Sequence, residues 1–340
     1  MAPLTRACRP ATSEPGLTAL TTPAPDCPLH HCPARLTARL PSSAAAMPPH
    51  PPPLPATSAP YAAPGWLARA LHHRSFALGA VLVALLLACA ALSLVWTPWS
   101  PYAMDLPAKL QAPSAQHWLG TDAFGRDVAS LLLVGARNSL VVGAIAVGIG
   151  LSVGTVLGLW AAAQRGWVEE ITMRLCDFTF AFPAILSAIM LTAVWGAGIG
   201  NAIIAIGIFN IPTFARVTRA SANAVWARDF ILAARACGKG RLRTTLEHVL
   251  PNIAPVLIVQ ATVQFAIAIL AEAALSYLGL GTQPPAPSWG RMLSEAQTLM
   301  FQAPLLAVWP GVAIALAVLG LNLLGDGLRD LLDPRLSRQR

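Results

Sequence analysis

Charged side chains are scarce in this sequence of 340 residues: aspartate, glutamate, lysine and arginine together make up 11% of it, and only 15 residues are acidic. Hydrophobic residues make up 55%, and the mean hydropathy is +0.59. Soluble globular domains contain about 25% charged residues. The composition therefore excludes an ordinary soluble domain and indicates a membrane protein.

Signatures of disulfide scaffolds, metal sites and catalysis are also missing. Three of the six cysteines fall in the first 32 residues and the others are scattered singly, which gives no paired framework. The stretch CPLHHCP (residues 27–33) has two cysteines and two histidines, but its spacing fits no standard zinc pattern. The apolar runs hold no cluster of His, Asp and Glu that would suit a membrane-embedded enzyme. We expect no metal site and no cofactor.

The phosphate-binding pattern G-x-x-x-x-G-K-[ST] is absent as well. Gly238 and Lys239 come nearest to it, but they lack the upstream glycine and the following hydroxyl residue. We therefore expect that this chain hydrolyses no ATP by itself.

Proline is concentrated at the amino-terminal end, where residues 1–64 hold 16 of the 30 prolines. This segment has no hydrophobic periodicity, which predicts a disordered, polyproline-like arm without a packed core. It does not resemble a signal peptide, since no uninterrupted apolar run follows its first basic residues. We expect either a dispensable tail or a true start at Met47, with the folded domain in residues 65–340.

The sequence is rich in apolar runs of about 20 residues, the length that a helix needs to cross a ~30 Å hydrocarbon layer. Lipid offers no partner to backbone amides, so these runs must be helical. We predict an all-α, polytopic membrane bundle of about six transmembrane helices. The runs cover residues 76–96, 139–163, about 178–195, about 200–214, about 253–275 and 303–325.

The positions of the basic residues predict the orientation. If the amino terminus is cytoplasmic, the cytoplasmic segments hold 19 of the 23 lysines and arginines, and the outer loops hold four. That asymmetry follows the positive-inside rule and places both termini in the cytoplasm. The net charge of +8 therefore needs no nucleic acid to explain it.

The loop between the fourth and fifth runs, about residues 215–251, is basic and half apolar. DFILAARA favours a helix, the glycines of CGKG interrupt it, and RLRTTLEHVL resumes a helix that Pro251 is expected to stop. In the second helix Leu242, Leu246 and Val249 fall on one face. Such a stripe must be buried against the chain's own helices, against lipid or against another protein, and periodicity alone leaves all three open.

The stretch AARACGKGRLRTTLEHVLPN resembles the coupling loop of ATP-binding cassette importer permeases. The family pattern is Glu-Ala-Ala, three residues, glycine and, about nine residues later, an apolar residue before proline. The matching positions are Ala233, Ala234, Gly238, Leu250 and Pro251. Here Leu232 stands where the family usually has glutamate, which puts a polar contact or capping role of that carboxylate in doubt.

Three further stretches narrow the resemblance. They are similar to the second permease subunit of dipeptide, oligopeptide and nickel importers. The stretches are HWLGTDAFGRDVASLLLVGARNSL (117–140), LSYLGLGTQPPAPSWGRML (275–293) and LGDGLRDLLDPRL (324–336). The resemblance covers about residues 71–336 and leaves out the proline-rich arm.

The resemblance implies a permease subunit of a bacterial inner-membrane importer that translocates peptides or related small solutes, nickel chelates included, by alternating access. The implied partners are a second permease subunit, two ATP-binding cassette ATPases that dock at the loop, and an extracytoplasmic solute-binding protein. ATP hydrolysis would then belong to the ATPases, so the chain itself is expected not to be an enzyme. The family assigns selectivity largely to the binding protein, so the sequence does not choose among peptides, nickel chelates and glutathione-like solutes.

Three polar or glycine-rich features have both a structural and a functional interpretation. Glu272, the one acid of the fifth run, either bonds neighbouring helix ends, which we favour, or serves as a gate or pathway group. Gly150, Gly154 and Gly158 share one helical face and predict close packing with another span or with the partner permease. GTDAFGRD (residues 120–127) in the first outer loop suits the docking of a binding protein and plain turn capping equally well.

A self-sufficient secondary transporter or channel is the alternative to an importer permease. Internal repeats or several buried charges would favour it. The sequence shows neither of these features. ATP dependence of transport would separate the two interpretations.

Overall fold

The computed structural model describes residues 73–332. The regular secondary structure of this part is helical, apart from one isolated bridge between Thr121 and Asp127, and loops connect the helices. The all-α prediction is confirmed. The predicted arm (residues 1–64) and the CPLHHCP stretch lie outside the described residues. The helices are α1 Arg74–Val95, α2 Val128–Gln164, α3 Trp167–Ala181, α4 Ala184–Trp195, α5 Ile199–Trp226, α6 Asp229–Ala236, α7 Arg241–Thr244, α8 Leu250–Tyr277, α9 Trp289–Gln297 and α10 Leu305–Leu332.

Membrane-spanning length is reached by five helices of the described part. These are α1, α2, α5, α10 and the continuous helical run Arg241–Tyr277, which includes α7 and α8. The bent pair α3 and α4 makes a sixth if it is counted as one broken span. The prediction of about six membrane helices is confirmed, with the bent pair counted as one span.

The third predicted run is not one straight helix. α3 ends at Ala181 and α4 begins at Ala184, and the two helices are bent by 84°. Phe182 between them has φ −99° and ψ 131°, an extended conformation. The residue before a proline is biased towards this conformation by a clash with the proline ring. Pro183 therefore breaks the run that its apolar composition predicted to be continuous.

Two helices extend beyond their predicted runs. α2 begins at Val128 rather than at residue 139, because the Asp127 side chain caps it by accepting a bond from Ser130 N. α5 continues to Trp226 although the loop was predicted to begin near residue 215, so that boundary is wrong. The polar composition after residue 214 suggested a loop, but the small residues there pack on α2 and keep the chain helical.

Pro251 does not stop the second loop helix, contrary to the expectation. α7, a π turn at Thr245–Val249 and α8 form one helical run. Leu250 N donates to Thr245 O across the wider π turn. Proline is tolerated in the first turn of a helical segment, where its missing N–H costs least. The loop helix and the fifth span are thus mechanically one element.

Two apolar cores hold the bundle together. The first joins α2, α5 and α8 and includes the fully buried Phe214 and Ile253. The second joins α1, α2, α8, α9 and α10 around Trp289, which is 2% exposed and donates from Nε1 to Leu132 O at 3.1 Å. The segment between α5 and α8 is attached to the first core.

Candidate coupling site

The segment between α5 and α8, residues 227–249, forms a compact unit that we call the coupling element. It contains α6, α7 and the π turn, with Gly238 at the bend. Gly238 has φ +82°, a conformation that glycine adopts without strain. Ile231 and Val249 are fully buried in the core of α2, α5 and α8. The element is therefore anchored on its own bundle by one apolar side chain from each half.

Four large apolar side chains of the coupling element remain outside the bundle, and we call them the coupling surface. They are Phe230, Leu232, Leu242 and Leu246, with exposed fractions of 42, 56, 74 and 53%. The stripe predicted from the sequence is thus divided: Val249 points into the core and the two leucines do not. An apolar cluster of this kind on a polar segment is typical of a protein contact.

The other residues of the predicted loop pattern surround this surface. Ala233 is exposed and Ala234 half buried, and both are small enough to let a partner backbone approach. Leu250 is half buried against the first core and Pro251 is exposed. Leu232 adds apolar area at the position where the family usually has a carboxylate.

An ion-pair cluster stabilises the bend of the coupling element. Glu247 accepts bonds from Arg243 Nε at 2.5 Å and from Lys239 Nζ at 2.6 Å. Lys239 Nζ also lies 3.0 Å from His248 Nε2. The bonds from Arg243 and then from Lys239 hold the pKa of the Glu247 carboxyl down to about 2. Since that value is below the usual 4.5, Glu247 stays ionised at every physiological pH, and the cluster would be lost only in strong acid.

Glu272 lies in α8 and is 1% exposed. Its carboxylate accepts hydrogen bonds from Ser139 Oγ of α2 at 2.8 Å and from Ser276 Oγ at 2.7 Å. Thr282 Oγ1, in the segment after α8, is 3.4 Å away. The carboxylate therefore connects two helices and the following loop through hydroxyl groups. Among residues 73–332 no basic side chain pairs with it.

The predicted glycine face of α2 lies against α5 of the same chain. A Cβ atom added at Gly150, Gly154 or Gly158 would come within 2.3 to 2.6 Å of an α5 atom. The nearest atoms belong to Asn210, Ile211 and Ala215, respectively. Only glycine permits this approach of the two backbones.

The predicted outer-loop stretch, residues 120–127, is closed by ion pairs. Arg126 Nε donates to Asp122 at 2.6 Å and Arg126 Nη2 donates to Glu295 near the end of α9 at 2.8 Å. The Asp127 carboxylate accepts bonds from Ser130 N at 2.8 Å and Ser130 Oγ at 2.7 Å. These contacts supply turn and helix capping, and the docking of a binding protein at this stretch stays a prediction.

Two ion pairs between α3 and α5 were not predicted. Asp177 pairs with Arg216, and Glu169 pairs with Arg219. Both arginines fall in the predicted cytoplasmic loop, because the apolar run ends at residue 214. The two arginines continue the helical spacing beyond the end of the apolar run. That spacing is the signal that could have predicted a longer α5 and, with it, these pairs.

A family model described as "binding-protein-dependent transport system inner membrane component" matches residues 154–338, more than half of the chain. The chain belongs to this family. The matched region covers α3 to α10 and most of the first core, and it includes the coupling element. The protein is accordingly a multi-pass inner-membrane permease component of a binding-protein-dependent transport system.

Curated members of this transport family are similar over most of their length. The glutathione transport system permease protein GsiD of Escherichia coli O1:K1 is 45% identical over 272 residues, which cover 79% of this chain and 89% of GsiD. The protein of the same name from Pectobacterium atrosepticum is 43% identical over 246 residues, which cover 70% of this chain and 82% of the relative. These relatives are permease subunits of transport systems.

The fold of a solved transporter is also similar. A chain of the MetNI methionine ABC transporter, in inward-facing conformations, aligns with a TM-score of 0.51 over 60% of this chain and 97% of that chain. The identity is 18%, so this likeness concerns the fold alone. It shows that the membrane permease component here has the fold of an ABC importer permease.

Proposed function

We propose that this permease component translocates small peptide-like solutes into the cytoplasm as one half of a membrane heterodimer, driven by two separate ATP-binding cassette ATPases and supplied by an extracytoplasmic binding protein. The family description names binding-protein-dependent transport, and the relatives' name states glutathione transport for those proteins. Glutathione is a tripeptide, so a peptide-like solute is the class that fits best. ATP hydrolysis is assigned to the separate subunits, because the sequence has no phosphate-binding pattern.

The coupling surface is the observation that carries this proposal. Four apolar side chains are displayed on an element whose own anchors, Ile231 and Val249, are completely buried. The surface is therefore rigidly supported but uncovered in the isolated chain. The positive-inside rule supports a cytoplasmic position for this element, and an ATPase rather than a binding protein is therefore the partner proposed to cover it.

The continuous helix from Arg241 to Tyr277 provides the mechanical link. A displacement of the docked ATPase moves α7, and because the π turn does not interrupt the helix, α8 moves with it. α8 packs on α2, α5 and α10, so its movement is transmitted to the rest of the bundle. Two arrangements of this bundle, selected by nucleotide binding at the ATPases, would open the solute path alternately to each side.

The experiment replaces Leu242 and Leu246 together by aspartate. The burial of each leucine contributes about 1.5 to 3 kcal/mol, and two new carboxylates add a desolvation cost. At about 1.4 kcal/mol per tenfold, docking should weaken by on the order of a hundredfold or more. We expect L242D/L246D to be present in the membrane at the normal level, to lose its ATPase during purification and to lose uptake.

A matched control keeps the apolar surface. Leu242→Met with Leu246→Met preserves the side-chain volume and should retain the ATPase. If L242D/L246D still holds an ATPase and supports uptake, the coupling surface is not the docking site. If the unmodified chain co-purifies with no ATPase at all, the proposed function itself is wrong.

A further inference from the structure

An exposed charged cluster lies beside the break between α3 and α4. Arg216 of α5 forms an ion pair with Asp177 of α3, and the two side chains keep exposed fractions of 44 and 64%. The Arg216 guanidinium also lies 4.4 Å above the centre of the Phe180 ring. The pair between Arg126 of the outer loop and Glu295 of α9 is different, since the Arg126 side chain is only 9% exposed; the pair of Arg216 and Asp177 is open to its surroundings.

The depth of Arg216 makes that exposure informative. At 1.5 Å per residue, Arg216 lies about 25 Å along α5 from its outer end at Ile199. With Ile199 taken as the outer boundary of a hydrocarbon layer about 30 Å thick, the guanidinium lies in the inner part of this layer. An ionised side chain at this level is costly against lipid and is normally directed to the bundle interior or to a water-filled cavity.

The break in the third span supplies a second, independent observation. Phe182 and Pro183 are exposed and non-helical, and α3 ends without a capping hydrogen bond from Phe182. At membrane depth, irregular backbone is tolerated only where it is buried in protein or lines a water-filled cavity. Helices broken near the middle of transporters mark solute sites for this reason. Since the break is exposed in the isolated chain, we place it along a water-filled path.

The distribution of buried and exposed residues on α3 indicates on which side of this helix the path runs. Thr172 and Cys176 are buried against the bundle. A separate stripe of exposed apolar residues suits lipid or the second permease subunit and consists of Trp167, Ile171, Leu175 and Phe178. Asp177 lies between the two faces, one helical turn before the exposed Ala181. The cluster is therefore at the edge of the bundle where the path and the partner subunit would meet.

We propose that Arg216 is a solute-binding residue that takes the carboxylate of a peptide-like solute in exchange for Asp177. A guanidinium binds a carboxylate through two parallel hydrogen bonds. When the solute arrives, its carboxylate replaces the Asp177 carboxylate, and the solute's ammonium group is available to Asp177. After the exchange, Arg216 and Asp177 each face an opposite charge of the solute, and the Arg216–Asp177 pair forms again when the solute leaves. Phe180 holds the guanidinium plane in position. This inference rests on the proposed function and names its solute class as small solutes with a free carboxylate.

The test measures the local potential with charged thiol reagents. A chain whose native cysteines are replaced by serine or alanine carries Ala181→Cys as a reporter, in inside-out vesicles without ATP. The rates of reaction with an anionic and a cationic methanethiosulfonate are compared. We expect the cysteine to react, Asp177→Asn to favour the anionic reagent by about tenfold, and Arg216→Gln to favour the cationic reagent to a similar extent.

The solute class is tested in the same vesicles. Millimolar trialanine should slow the reaction of the reporter, whereas trialanine amide should not, and Arg216→Gln should abolish the protection. The control pair is Glu170 with Arg174, which is also exposed on α3; Glu170→Gln and Arg174→Gln should leave the ratio of the two rates unchanged. Leu175→Cys, on the apolar stripe, should show no charge preference.

Any one of three results overturns the inference. The reporter cysteine does not react, both charge variants leave the ratio of the two rates unchanged, or trialanine and its amide protect the cysteine equally. The pair would then be a structural ion pair at the lipid headgroups or the subunit interface. Any of these results in a chain that still co-purifies with an ATPase leaves the proposed function intact, so the two failures are distinguishable.

Discussion

At the scale of single residues, Glu272 shows how a carboxylate is accommodated inside an apolar helix. Its hydrogen bonds from Ser139 and Ser276 replace the water that the carboxylate loses on burial. The bond from Ser139 joins α2 to α8, and the bond from Ser276 lies within α8. This arrangement favours the structural interpretation of Glu272. A gate or pathway role stays a prediction that a substitution can separate from it.

We predict that Glu272→Leu destabilises the protein more than Glu272→Gln. Leucine leaves the two serine hydroxyls without an acceptor, at a cost of about 1 to 3 kcal/mol, whereas glutamine keeps an acceptor oxygen. The measurement is the melting temperature of the purified protein in detergent. Equal melting temperatures for both variants would contradict the structural role, and lost uptake by a stable Glu272→Gln variant would favour the gate.

At the residue scale, helical spacing predicts which side chains share a face but not which of them the bundle covers. It groups Leu242 and Leu246, and both are exposed; their role in coupling stays a prediction. The same spacing groups Val249 with them, although it is buried. Periodicity cannot tell which part of an apolar face its own bundle covers. The role of Arg216 is not visible in the sequence, because its pairing partner lies 39 positions away.

At the scale of elements, the contact between α2 and α5 is the most extensive helix pairing of the described part. The glycines of α2 bring the two backbones together, and α5 remains helical through Pro212 and on to Trp226 because of this support. A Cβ atom added at Gly148, on the same helix, would meet no other atom within 4 Å. Gly148 and Gly154 therefore form a matched pair for substitution.

We predict that Gly154→Leu strongly destabilises the bundle and that Gly148→Leu does not. A side chain at position 154 would overlap Ile211 O at 2.6 Å and Phe214 Cβ at 2.7 Å. Such overpacking costs about 1 to 3 kcal/mol or more. At position 148 leucine meets open space and improves helix propensity. Thermal unfolding in detergent measures the stability of the two variants. Equal melting temperatures would show that α2 and α5 are not packed in this way.

The sequence predicts which elements exist better than where they end. Long apolar runs identify the spans, because lipid leaves the backbone no other choice. The end of α5, the break at Phe182 and the continuity through Pro251 all depend on local backbone geometry or on contacts with distant residues. The composition of an apolar run predicts neither the local backbone geometry nor the contacts with distant residues.

At the scale of the whole molecule, orientation decides which surface can meet an ATPase. We predict that the native Cys237, which is exposed in the coupling element, is cytoplasmic, and that Phe301, fully exposed between α9 and α10, is extracytoplasmic. In right-side-out vesicles an impermeant thiol reagent should label Phe301→Cys and should reach Cys237 only after permeabilisation. The reverse pattern would invert the topology and remove the coupling element from the ATPases.

We predict that transport by this permease component is driven by ATP through partner subunits. The decisive measurement is uptake into proteoliposomes that contain the chain with its second permease, ATPases and binding protein. Uptake of a mixture of di- and tripeptides and glutathione is followed by mass spectrometry. We predict uptake that requires ATP on the ATPase side, persists when ion gradients are dissipated and is lost in L242D/L246D. Uptake by this chain alone, driven by an ion gradient without ATP, would contradict the account and identify a secondary transporter.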